Sequence, residues 1–204
     1  MAKGKVKRIF LDDLGGKNPV FVQILGICST LAVTNVLKNT LVMCLGLMFT
    51  TSLSAFFVSV LRKILPSRIR MMVETLIIAA FVIVVDIVLR AFVPDISRQL
   101  GPYVGLIITN CIIMGRMEAF ALSNPPGLSF IDGMASGIGY SYVLLIIAFF
   151  RELLGSGTIL GYVVFGDWWA KWAIMVMPPG AFFMLAIFIW IVKGVLIKSG
   201  EETK

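Results

Sequence analysis

The chain has 204 residues, 59% of them hydrophobic and 14% charged, with no histidine and a formal net charge of +7. A soluble domain carries about a quarter charged residues. There is too little polar surface here to cover a water-soluble globule, and the long apolar runs make this a polytopic membrane protein. The missing histidine removes the commonest haem and zinc ligand, and the cationic residues cluster at the ends of apolar runs, as membrane topology requires rather than nucleic-acid binding.

Residues 1–17, MAKGKVKRIFLDDLGGK, read as a basic cytoplasmic segment. They lack the apolar core and small-residue cleavage site of a signal peptide. Six apolar segments follow, at 19–34, 41–61, 71–92, 102–114, 135–150 and 172–197. A straight helix needs about 20 residues to cross ~30 Å of hydrocarbon. The first and fourth segments fall short of that, contain glycine and begin at a proline. With the N-terminus inside, six spans return the C-terminus to the same face, and 13 of the 18 lysines and arginines then lie on the cytoplasmic side. The loop LRKILPSRIR (61–70) contributes most to that bias. The positive-inside rule therefore predicts both termini in the cytoplasm of a bacterial inner membrane.

The two halves of the chain share a plan. Pro19 lies nine residues before Cys28, and Pro102 lies nine before Cys111. Each cysteine sits in a short segment followed by two longer spans, and FFVSVLRK and IAFFRELLG close the second span of each set. Three spans is an odd number, so the second copy enters from the opposite face. The expected fold is all-α, with six transmembrane helices in two inverted three-helix repeats at 18–98 and 99–198 and a tail at 199–204. The first helix of each repeat is short or broken near the midplane. Irregular backbone is tolerated there only when it is buried in protein or lines a cavity. Cys28 and Cys111 would then face one another. Asn110 would hydrogen-bond freed backbone groups, and Gly26 and Gly105 would allow close approach.

A lone membrane cysteine is usually an inert small hydrophobe, and Cys44 in VMCLGLM has no counterpart in the second half. The paired positions of Cys28 and Cys111 admit more. A disulfide between them would staple nothing obvious. Soft thiolates suit iron–sulfur, copper or zinc, and two are half the ligand set of a 2Fe–2S cluster, leaving a second chain to supply the rest.

Among the acidic residues, Asp86 lies four positions before Arg90, on one helix face. The pair reads as an internal ion pair, or Asp86 faces a hydrated cavity and offers oxygen to a sodium ion. Glu74 and Asp132 lie nearer the interfaces, within reach of water, and are given no role. Arg116 and Glu118 would anchor the second half-helix on the cytoplasmic side, and Arg151 and Glu152 act likewise outside. GSGTILG (155–161) follows a membrane helix and reads as a turn, not a dinucleotide loop. DWWAKW (167–172) marks the non-cytoplasmic start of the sixth span.

LGICSTLAVT, VGLIITNCIIMGRMEAFA, IDGMASGIGY and FFRELLGSGTILG resemble the paired membrane subunits of two related sodium pumps. These are the sodium-translocating NADH:quinone reductase (Nqr) and the ferredoxin:NAD oxidoreductase complex (Rnf). The likeness runs over about residues 15 to 195. Its nearest branches are the D-type subunits of Nqr, favoured by Ser after Cys28 and by VVDIVLRAF, and the E-type subunits of Rnf, favoured by MPPGAFF (177–183). The resemblance implies that Cys28 and Cys111 join two cysteines of an inverted homologous sister chain (Nqr E-type or Rnf A-type) to bind a 2Fe–2S cluster. That cluster relays electrons across the membrane between flavin-bearing and NADH- or ferredoxin-reacting partner subunits. It also implies an ion-translocating oxidoreductase component without a complete active site of its own and without flavin or NADH. The competing class is a stand-alone inverted-repeat transporter, which shares broken helices but would need polar substrate ligands that the apolar spans lack. A purely structural assembly component is the third.

Overall fold

Hydroxyl-bearing and glycine residues join large apolar side chains in the packing of the two longest helices. The computed structural model describes residues 25–64, 66, 68–159, 162–163 and 177–201. The expected basic N-terminal segment, the start of the first apolar segment, the DWWAKW cluster and the last three residues lie outside these. The elements in chain order are α1 (Ile27–Val33), α2 (Leu37–Leu61), α3 (Arg70–Phe92), α4 (Pro94–Ile108), α5 (Cys111–Arg116), a single π-helical turn (Met117–Ala121), α6 (Pro126–Gly155), a two-residue antiparallel pairing of Thr158–Ile159 with Tyr162–Val163, and α7 (Pro178–Glu201). Four helical stretches are long and apolar enough to cross a membrane: Leu37–Leu61, Arg70–Phe92, Tyr103–Ala121 and Pro126–Gly155. Pro179–Gly194 within α7 is a shorter apolar helix. The chain is therefore helical and polytopic, apart from the short antiparallel pairing after α6, whose first strand, Thr158–Ile159, lies within the stretch expected as a turn.

The central seam lies between α2 and α6. Gly133 and Gly137 on α6 are one turn apart, and a Cβ on either would come within 3.1 Å of the α2 backbone, at Thr51 and Ser52 for Gly133 and at Met48 for Gly137. Small residues at this spacing let two membrane helices approach closely where lipid offers no hydrophobic drive to associate. On the facing helix, Thr50, Thr51 and Ser52 return their hydroxyls to carbonyls four residues back, at 2.8, 2.6 and 2.8 Å. Their polar atoms are thus satisfied inside the helix that carries them, as a dry environment demands. Against this seam, α3 packs on α2 and α4, while α7 packs on α1 and α6. Much of α3 stays uncovered, with Met72, Leu76, Ile87 and Phe92 exposed.

Two helices run further than their apolar cores. α6 begins at Pro126 and ends at Gly155 rather than spanning 135–150, because its polar ends are buried and paired. Asp132 is 2% exposed, and Arg116 grips both its oxygens, through Nε to Oδ2 at 3.1 Å and through Nη2 to Oδ1. That corrects the expectation that water satisfies Asp132. Glu74 is likewise buried, at 1% exposure, and its Oε1 has no hydrogen-bond partner among the described residues. α4 begins at Pro94, where a proline at the first helical turn loses no hydrogen bond, and carries the helix through the polar stretch before residue 102. Asp86 and Arg90 form the expected ion pair, at 2.7 Å on the face of α3, and Glu118 pairs with Arg70.

Candidate metal centre

The fourth apolar segment is broken, as its composition predicts. Helix α4 stops at Ile108, Thr109 and Asn110 leave the helical path, and α5 restarts at Cys111. Breaking a helix frees amide donors at the new start. Asn110 meets this need as the N-cap of α5, its Oδ1 accepting the Ile112 amide at 3.0 Å. The other short helix starts differently. Gly26 precedes α1 with φ of 83°, in the left-handed region that a side chain disfavours. A Cβ there would sit 2.8 Å from Ile112 Cδ1 and 2.8 Å from the Tyr140 ring. Gly26 therefore serves both backbone conformation and close approach.

These two starts touch. Asn110 Nδ2 donates to Ser29 Oγ at 3.3 Å, across 81 positions of sequence. Ser29 Oγ in turn contacts Tyr140 Oη, and Tyr140 Oη donates to the Gly26 carbonyl at 2.9 Å. The same carbonyl accepts from Thr30 Oγ1 at 2.9 Å. Tyr140, Ile112, Thr30 and Ser29 are all at most 2% exposed. Each cysteine is covalently next to a member of this contact, Cys28 to Ser29 and Cys111 to Asn110. The structure thus brings together the neighbourhoods of the two motif cysteines at the starts of two short helices.

The thiols themselves face outward. Cys28 and Cys111 are exposed free cysteines, whereas Cys44 is buried, its Sγ 3.9 Å from the Ser141 carbonyl. Of the glycines, Gly26 makes the close approach expected of it. At Gly105 a Cβ would meet nothing within 4 Å among the described residues. Asp86 remains tied to Arg90, apart from the contact that links the two starts. A 2Fe–2S cluster takes four cysteine ligands. Among the described residues no group of three His, Cys, Asp or Glu could hold a metal, and Cys28 and Cys111 would be two of the four thiolates that such a cluster takes. Two outward-facing thiols flanking a satisfied polar core are suited to completing a site with ligands from another chain.

Sequence reasoning missed Tyr140 and Ser29. Tyr140 closes the IDGMASGIGY stretch, where one large aromatic stands among small residues. That contrast is a signal, since a helix face of glycine and serine buries a phenol only against a neighbour with room for it. Ser29 carries no such mark beyond its place beside Cys28.

Polar clasps lock the ends of the seam. Arg151, 2% exposed near the end of α6, donates to Thr34 Oγ1 at 2.5 Å and to the Leu31 carbonyl at 3.4 Å, holding the end of α1. Glu152 Oε2 accepts the Leu37 amide at 2.6 Å at the start of α2. Just past the far end of α2, Arg62 Nη1 donates to the Asn124 carbonyl at 2.7 Å, where Ser59 also donates, and holds the turn between the π-helical segment and α6.

Comparison with known proteins places the chain in a family. Residues 6–189 match the family described as Rnf-Nqr subunit, membrane protein. The D-type chain of the Na(+)-translocating NADH-quinone reductase of Photobacterium profundum is 48% identical over 194 residues, covering 93% of this chain and 92% of that protein. Its counterpart in Yersinia enterocolitica is 46% identical over 196 residues, 93% and 94% of the two chains, and that of Tolumonas auensis is 42% identical over 205 residues, 98% and 95%. A family match over most of the chain is joined to relatives at this identity along nearly their whole length, and the chain belongs to the Rnf-Nqr family of membrane subunits.

Proposed function

We propose that this chain is the D-type membrane component of a sodium-translocating NADH:quinone reductase, and that Cys28 and Cys111 supply half the ligands of a 2Fe–2S cluster shared with a homologous sister chain. The carrying observation is the outward exposure of both thiols beside the Ser29–Asn110 contact, in a chain whose remaining cysteine is buried. The names of the relatives support the complex. When bound, the cluster would supply one-electron transfer between partner subunits. This chain's residues hold the two thiolates at the starts of α1 and α5, and Asn110 satisfies an amide that the break before α5 releases.

The reading extends to six spans in two inverted repeats, at 18–98 and 99–198, with both termini cytoplasmic. The contact pattern supports it. The second and fifth spans, α2 and α6, form the central seam. The third span packs on the fourth as the sixth packs on the first. Arg62 beside the second span clasps the turn before the fifth, and Arg151 on the fifth clasps Thr34 in the turn before the second.

The test uses the purified native assembly. Wild type is expected to contain iron and a visible and paramagnetic cluster signal. Cys28→Ala and Cys111→Ala each abolish that signal, and Cys44→Ala leaves it intact. A stand-alone transporter would keep its activity in all three variants. A structural component would still assemble and pass electrons in all three, and either result sinks the reading.

A further inference from the structure

We propose that Tyr140 is a positioning residue for the two-cysteine site, its hydroxyl acting through Ser29 to hold the Cys28-bearing start of α1 against the Cys111-bearing start of α5. The inference rests on the reading of Cys28 and Cys111 as metal ligands. It assigns a role to a side chain that touches neither cysteine and would bind no metal.

The two ends of the hydrogen-bond chain are fixed by chemistry. Asn110 Nδ2 can only donate, and the Gly26 carbonyl can only accept. Donation therefore starts at Asn110, enters Ser29, and ends on Gly26, with the Ser29 and Tyr140 hydroxyls in contact and both within reach of that carbonyl. The acceptor at its end belongs to the residue that opens α1, and the donor at its beginning belongs to the cap of α5. The phenol at its centre is set in neither short helix. It projects from α6 three residues beyond Gly137, where α6 is seated on the α2 backbone. Two short helices of seven and six residues are thereby referenced to the most tightly packed helix pair in the chain. Helices of that length have little stability of their own, so their relative placement depends on what they are fastened to. The Tyr140 ring also walls Gly26, leaving no space for a Cβ, so ring and hydroxyl fix position and orientation separately.

Cluster potentials respond to hydrogen bonding and solvent exposure around the sulfurs, and ligands held slightly out of place release metal faster. Tyr140→Phe retains the ring and removes only the bridging oxygen. In the purified complex, it is expected to broaden the paramagnetic signal and to speed iron loss to a chelator about tenfold. It is also expected to shift the cluster midpoint by about 59 mV, a tenfold change in a one-electron equilibrium. Ser29→Ala should do the same, and Ser29→Thr, which keeps a hydroxyl, should restore wild-type values. Because both act through one contact, the double variant Tyr140→Phe, Ser29→Ala should be no worse than either single variant. Wild-type line shape, midpoint and iron-loss rate in Tyr140→Phe overturn the inference, as does simple additivity in the double variant. A Tyr140→Phe complex that is recovered in lower amount with an unaltered cluster signal overturns it too, since that is the mark of a purely structural residue. A wild-type complex with no cluster signal defeats the functional reading and this inference together, whereas unchanged variants beside a normal wild type defeat this inference alone.

Discussion

The starts of α1 and α5 are fastened by different chemistry. At α5 the freed amide is capped by a side chain, Asn110, in ordinary extended backbone. At α1 no side chain caps the helix, and Gly26 turns into the left-handed region so that its carbonyl can gather three side-chain hydroxyls. One start carries its own solution within two residues. The other borrows Tyr140 from a helix 114 positions away. A self-capped start tolerates loss of its neighbours, whereas a borrowed one fails when the lender moves.

That asymmetry can be broken by substitution, and the largest effect is expected at Gly26. Gly26→Ala forces a side chain into a left-handed conformation and into contact with Ile112 and Tyr140, so it should destabilise the complex by about 3 kcal/mol. A lowered midpoint of thermal inactivation would register this, and a wild-type midpoint would contradict the close packing. Next comes the arginine clasp at the α1 end. Arg151→Met removes a buried charged donor from Thr34 and Leu31, at about 2 kcal/mol, against about 1 kcal/mol for Arg62→Met, whose contact is the Asn124 carbonyl. Equal losses in the same thermal assay would mean that the two clasps are equivalent and that the contrast between the ends is not real. Asn110→Ala gives up a cap and the Ser29 link, at about 1 kcal/mol. Smallest is Gly105→Ala, where a Cβ meets nothing within 4 Å among the described residues. It should be neutral or stabilising by about 0.5 kcal/mol, as alanine is in a helix interior. A clear loss on Gly105→Ala, read from the amount of sister chain retained on purification, would instead place this glycine in an interface between chains.

Several features were legible before any coordinates. Proline and glycine in segments too short to cross the bilayer announced the break at Asn110, because an amide released in hydrocarbon must find a partner and few residues provide one. The Asp86–Arg90 pair followed from helical spacing alone. The ends of α6 were harder to place. Asp132, Arg151 and Glu152 read as interfacial by hydropathy, which weighs a residue singly, yet each is buried because a partner arrives from another helix.

The division between sequence and structure is therefore one of range. Apolar length, charge bias and the matched spacing of Pro19 to Cys28 and Pro102 to Cys111 determined a membrane bundle and named its two candidate ligands, because these depend on each segment's own transfer into lipid. Which cysteines face outward, which glycine is crowded and which tyrosine joins the two starts were decided only when α1, α5 and α6 came together. Hydrogen bonds across 81 to 114 residues of chain have no local signature, and burial belongs to the packed whole rather than to any one residue.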